Sequence, residues 1–234
     1  MSSALDRFRD LCLPVDALDF LAELEAHNHR PWFQSQRARF DASILEPSRA
    51  FVTALGETLR PVAPGLIADP RTDKSIFRMH RDTRFAKDKA PFKTHIGLFL
   101  WEGDRPKAEC SGFYLHIEQG SYQIGAGHYL FAKDQIAPWR ELLRDDATAT
   151  AALVEACARA EAAGFSIEGA TAKRVPRGWP AELPHSHLFR HSGLYASSQQ
   201  RPIEELLQPG AVGILTEAFT SLAPLHRWLV EEMR

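Results

Sequence analysis

The 234-residue chain carries 28 Lys plus Arg against 30 Asp plus Glu, a formal charge of −2, with 44% hydrophobic and 25% charged residues. That balance excludes a collagen, a coiled-coil rod and a disordered tail, and a chain this long can bury enough surface to fold without disulfides or a structural metal. No apolar run approaches the ~20 residues that span a bilayer, and Asp6, Arg7, Arg9 and Asp10 stand where a signal peptide needs its apolar segment, so the expectation is a soluble, cytoplasmic protein without membrane association.

In chain order, Ala17, Leu18, Leu21 and Leu24 predict a first amphipathic helix, and Phe33, Phe40 and Ile44 a second after the polar break at residues 27–30. Pro31 suits a first turn, where the missing N–H costs nothing, and Asn28 is the expected cap. Phe51, Leu55 and Leu59 mark a third helix between Pro47 and Pro61. From Ser75 the period becomes two, with Phe77 and Met79 on one side and Ile76, Arg78 and His80 on the other, which predicts a half-buried strand with a basic face. Residues 96–101 are apolar throughout and read as a central strand. Phe113, Leu115 and Ile117 alternate with polar neighbours, and Gln119-Gly120 predicts a hairpin into a strand over 122–126. Helical patterns cover 134–144 and 148–163, a Pro-rich passage runs from Val175 to Pro184, and 188–197 reads as another strand. Val212, Leu215, Phe219 and Leu222 predict a last helix that Pro224 kinks or restarts. Helices, then strands, then helices favour an α+β fold, a mainly antiparallel central sheet with N-terminal and C-terminal helices packed against it, in a single domain over 1–234.

Charge is concentrated between Arg71 and His95, where eight Lys and Arg face three Asp, a local +5 that leaves −7 for the rest. Arg offers a planar fork for phosphate or carboxylate oxygens and Lys a mobile point charge. Arg78, Arg81, Arg84, Lys87, Lys89 and Lys93 are therefore the candidate ligand-binding residues, with Trp32 as a candidate pocket wall. The alternative is that Asp82 and Asp88 neutralise these cations within the segment. Phe77, Phe85 and Phe92 could stack on bases, but an overall charge of −2 argues against a nucleic-acid partner.

The string from Phe77 to Thr94, Phe-Arg-Met-His-Arg-Asp-Thr-Arg-Phe-Ala-Lys-Asp-Lys-Ala-Pro-Phe-Lys-Thr, resembles the hallmark of the family catalogued as domain of unknown function 2461 (DUF2461). Asn28 with Trp32-Phe33, the residues 114–117 leading to Gly125 and Gly127, and Pro176-Arg177-Gly178-Trp179 are similar too, so the likeness spans about 20–228. The chain departs from the pattern at His27, Ala126, Phe131 and 180–185. The resemblance implies an α+β domain and brings no activity, cofactor or catalytic residue.

Elsewhere the signals are weaker. His185, His187 and His191 form the one tight histidine cluster but have no nearby Cys and only Glu182 as a close carboxylate, so no metal site is expected. No Gly-x-Ser-x-Gly, Gly-x-Gly-x-x-Gly or P-loop string occurs, no cofactor is expected, and Cys110-Ser111-Gly112 shows no local base. Gly125 and Gly127 are expected to relieve a crowded strand, and Cys12, Cys110 and Cys157 to act as small hydrophobes. The leading expectation is binding of an anionic, phosphate- or carboxylate-containing ligand. One alternative is an enzyme acting on a phosphorylated or acyl substrate, with His80, His95 or His116 moving a proton. The other is an interaction or structural module with the cations in ion pairs.

Overall fold

The structure, a computed structural model, describes residues 2–84 and 86–233. Phe85, one of the aromatics of the basic segment, lies outside them. Helices α1 (Ser2–Arg7), α2 (Val15–Ala26), α3 (Arg30–Ser35) and α4 (Arg37–Phe40) lead into a π-helical turn, Asp41–Leu45, and helix α5 (Glu46–Thr58). Strands β1 (Ile96–Glu102), β2 (Ser111–Ile117) and β3 (Ser121–His128) follow, then α6 (Lys133–Asp145), α7 (Ala147–Ala162), β4 (Phe165–Ala170), β5 (His191–Ser198), β6 (Arg201–Pro202) and α8 (Ala211–Glu232). The sheet is antiparallel with order β1-β2-β3-β5-β4, and β6 pairs with β3. The fold is thus α+β, with helices at both ends of the chain.

Two compact units form, each from discontinuous stretches. The first takes the chain up to Leu100, then Tyr114–Ile124 and Gln200–Glu217; the second takes Trp101–Phe113, Gly125–Gln199 and the chain from Ala218. In the first, Phe20, Leu21 and Leu24 of α2 and Phe51 and Leu55 of α5 are buried at the helical spacing that the sequence displays. In the second, Trp139 of α6 is fully buried and donates its indole N–H to the Leu188 carbonyl at 3.2 Å, while Trp228 donates to the Ala149 carbonyl at 2.9 Å, so each large apolar body also has its polar atom satisfied. Gly127, at φ +136°, lets β3 approach β5: a Cβ there would lie 2.4 Å from the Leu194 carbonyl oxygen.

Several sequence expectations are corrected. The segment from Ser75 does not form a strand; it makes single bridges, Ile76 to Leu98 and His80 to Phe92. β1 is not central but stands at one end of the strand order, and its apolar character is explained by that same segment covering it, with Phe77 N–H donating to Gly97 O at 3.0 Å and Phe99 N–H to Ser75 O at 2.8 Å. β4 was not predicted, because its six residues contain Gly169 at a register shift and alternate too briefly to declare a period. Asn28 does not cap α3: His29 Nδ1 accepts from Trp32 N–H instead. Helix α8 continues through Pro224 as one element. Among the described residues no helix is long and apolar enough to cross a membrane.

Candidate functional site

Asn28, released from capping, reaches across sequence to residue 92. Its side-chain N–H donates to Phe92 O at 3.0 Å and its carbonyl accepts from Phe92 N–H at 3.0 Å, so one amide completes both backbone groups of the residue bridged to His80. Phe92 in turn stacks on Phe33 of α3, centroids 4.2 Å apart and 16° from parallel, and meets the His80 ring at 4.9 Å. These aromatics floor a groove of about 430 Å³ lined by Arg30, Phe33, Gln34, Arg37, His80 and Phe92. A smaller cavity of about 80 Å³ shares Phe33, Arg37 and His80 and adds Arg78 with the apolar Phe40, Ile44 and Ile96.

The helical wall is fixed by a polar staple. Arg39 of α4 grips Asp16 of α2 through Nε and Nη2 at 2.9 and 2.7 Å, Nη1 takes Glu23 at 2.9 Å, and Ser43 in the π-helical turn donates to Asp16 at 2.5 Å. The hydrogen bonds from Arg39 and then Ser43 hold the Asp16 carboxyl below its ordinary range. The π-helical turn places Ile44 and Leu45 against the smaller cavity, the kind of local irregularity that tends to sit at sites rather than in plain scaffold.

Electrostatically the cations of the groove differ. Arg37 is held by Asp41, four residues on, at 3.0 Å. Among the described residues neither Arg30 nor Arg78 is in ion-pair contact with a carboxylate, and both are exposed. Arg78 stands close enough to Lys93 to help lower the lysine's pKa, after burial, which is the larger cause.

The other predicted cations do not join Arg78. Arg81 is paired with Asp88 at 2.5 Å, and Arg84 with Asp82 at 2.7 Å. Each aspartate also accepts the backbone N–H two residues on, Arg84 at 3.2 Å and Ala90 at 2.9 Å, so both acids fold the 82–90 loop as they neutralise it. Lys89 donates to the Thr83 carbonyl at 2.9 Å, Lys87 is exposed, and Lys93 lies over the Phe77 ring at 5.4 Å. Trp32 packs on Phe20 and His27 and is not among the residues lining the groove. Five of the six cations therefore split among ion pairs, a carbonyl, an aromatic face and the smaller cavity, and Lys87 stands exposed. The structure adds two residues that the sequence reading missed, Arg30 and Arg37. Their signal was the 30, 33/34, 37 repeat, a helical spacing that sets an aromatic between two arginines across α3 and the start of α4.

Two further constellations appear. On β2 the Tyr114 hydroxyl lies 2.9 Å from His116 Nδ1, and His116 Nε2 lies 3.0 Å from Glu118, with the His95 ring against His116 at 4.3 Å. In the second unit Ser111 Oγ is 2.9 Å from His226 Nδ1, and His226 Nε2 is 3.2 Å from Glu102. Ser111 thus does have a base, supplied from 115 positions away. At 3% and 1% exposure the serine and histidine are sealed in the core, and the row satisfies a buried imidazole at both nitrogens. His185 donates to the Leu143 carbonyl at 2.8 Å, His191 is buried and His187 exposed. Among the described residues no group of three or more His, Cys, Asp or Glu is placed to hold a metal ion.

In comparison with known proteins, residues 16–228 match the family model described as "Conserved hypothetical protein (DUF2461)". No curated protein matches the chain.

Proposed function

The chain belongs to the DUF2461 family, and since that membership brings no activity, we propose from the groove itself that the protein binds a small anionic ligand with a planar or apolar body. The observation that carries this reading is the pair Arg30 and Arg78, two guanidiniums in no ion-pair contact with a carboxylate among the described residues, Arg78 feeling Asp82 only at longer range, that line adjoining hollows whose shared floor includes Phe33. Removing counter-charges from exposed arginines is unfavourable unless solvent or a ligand anion offsets it. A guanidinium meets phosphate or carboxylate oxygens through two parallel N–H bonds, and the largely buried Phe33–Phe92 pair makes the base of the groove apolar. At about 430 Å³ the groove has room for a ligand of metabolite size.

Thermal shift and calorimetry with phenyl phosphate, inorganic phosphate and phenylacetate test it. A ligand at a hundred times its Kd adds about 2.7 kcal/mol of apparent stability. Phenyl phosphate is expected to give the largest shift, Arg78→Ala and Arg30→Ala to abolish it, and Arg84→Ala, whose guanidinium is already engaged by Asp82, to leave it intact. Equal loss in Arg78→Ala and Arg84→Ala would return the site to the whole basic segment; no shift with any of the anions would refute the reading.

A further inference from the structure

The row on β2 is ordered chemically as well as geometrically. An ionised carboxylate only accepts hydrogen bonds, so the contact with Glu118 at 3.0 Å places the imidazole proton of His116 on Nε2. Nδ1 is then the acceptor and the Tyr114 hydroxyl, 2.9 Å away, the donor. A hydroxyl held on a base that is itself oriented by an acid is the arrangement of an activated nucleophile.

The surroundings favour charge separation along this row. Burial, with the nearby His116, Lys93 and Arg81, pushes His95 down to about 4, so the tilted ring beside His116 is neutral near pH 7 and does not oppose a proton arriving there. Lys93 brings positive charge to the same face, over the Phe77 ring that packs on Tyr114 at 6.0 Å, while Arg81 is held by Asp88. Position 97 is a glycine, and a Cβ there would press on the Tyr114 oxygen at 3.2 Å.

We propose that Tyr114 is a nucleophilic phenol, activated by His116 and Glu118, that attacks a phosphate ester drawn in by Lys93. In the step, Tyr114 Oη forms a bond to phosphorus and its proton passes to His116 Nδ1. The bond from phosphorus to the ester oxygen breaks, its electron pair leaves with that oxygen, and the imidazolium returns the proton to the departing alkoxide. Water, deprotonated by the same imidazole, then bonds to phosphorus; the bond from phosphorus to Tyr114 Oη breaks with its electron pair staying on that oxygen, and the imidazolium returns the proton to the phenolate as phosphate leaves. Tyr114, His116 and Glu118 do not line the Arg30 and Arg78 hollows, and neither proposal rests on the other.

The test is covalent labelling of the full-length protein by 4-fluorosulfonylbenzoate, mapped by peptide mass spectrometry. In that reaction a tyrosine oxygen bonds to sulfur, fluoride leaves with the electron pair of the S–F bond, and the phenol proton goes to the base. Tyr129, 74% exposed, is the internal reference. Tyr114 is expected to react at least ~100-fold faster than Tyr129, as general-base assistance commonly provides. Tyr114→Phe removes the label. Glu118→Gln, which keeps a hydrogen-bond acceptor but loses the charge, brings the rate most of the way back to the reference, and Glu118→Asp restores part of it. Inorganic phosphate, against chloride at matched ionic strength, slows labelling of Tyr114 and not of Tyr129. Tyr114 reacting no faster than Tyr129, or unchanged by Glu118→Gln, overturns the activated phenol; activation without protection by phosphate overturns the substrate class.

Discussion

Replacing Asn28 by Ala removes the two hydrogen bonds that tie α3's entry to Phe92, both 3.0 Å and separated by 64 positions in sequence. Each such bond contributes about 0.5–1.5 kcal/mol net, and a partly buried N–H or C=O left without a partner lies at the upper end. The site is half-buried, so water reaches part of what is lost, and the expected destabilisation is about 1–3 kcal/mol. Urea denaturation followed by far-ultraviolet circular dichroism measures it as a lower midpoint at unchanged m-value. Asn28→Asp separates the two bonds: a carboxylate still accepts from the Phe92 N–H but faces the Phe92 carbonyl with no proton to donate, and it should fall at least as far as the alanine variant near pH 7. Because Phe92 floors the groove, both variants should also weaken phenyl phosphate binding. A loss below about 0.5 kcal/mol for Asn28→Ala, the range of ordinary surface substitutions, would show that the amide does not position this segment.

Burial holds His128, 1% exposed, down to about 4, and His95 falls to about 4 as well. Both are depressed below the unfolded value, so the unfolded chain takes up protons first as pH falls. Stability is fully present above about pH 6.5 and declines from there toward pH 4, by about 1–2 kcal/mol per histidine between pH 7 and 5. Denaturation at the two pH values checks this, and His128→Phe should flatten the slope. Ser111→Ala leaves the buried His226 Nδ1 without its partner and should cost about 1–3 kcal/mol in urea denaturation. Gly97→Ala sets a methyl 2.7 Å from the Phe77 ring and should cost about 1–3 kcal/mol by overpacking, readable in the same assay. Arg84→Ala, an exposed pair with its partner two residues away, should leave the thermal midpoint unchanged.

The parts of the fold legible in the sequence are those where one period persists long enough to bury a face. Helix α2, helix α5, the β2–β3 hairpin and helix α8 all follow their apolar repeats. Where the period is short or a side chain overrides it, the reading fails: β4 is a brief edge strand shifted at Gly169, and the segment from Ser75 keeps its alternation yet makes only isolated bridges. The two units interleave along the chain, so no linker composition could reveal them. The candidate site was legible as charge and illegible as geometry. Asp82 and Asp88 were visible as partners, but only the folded loop decides that they take Arg84 and Arg81. Likewise Ser111 and His226 meet across 115 positions, beyond any local motif.

The basic segment joins the two proposed sites. Arg78 and His80 line the smaller cavity beside Phe33 and Arg37, and Phe77 lines it as well, while its ring also packs on Tyr114 and lies under Lys93. One register therefore serves both sites, and it is held at both ends of the segment. Asn28 fixes the backbone opposite His80, and Phe77 N–H is fixed on Gly97 O. Inserting one glycine between Met79 and His80 should therefore damage phosphate protection at Tyr114 and phenyl phosphate binding at the groove together. Loss of one without the other would show that the two sites are set independently of the segment that joins them.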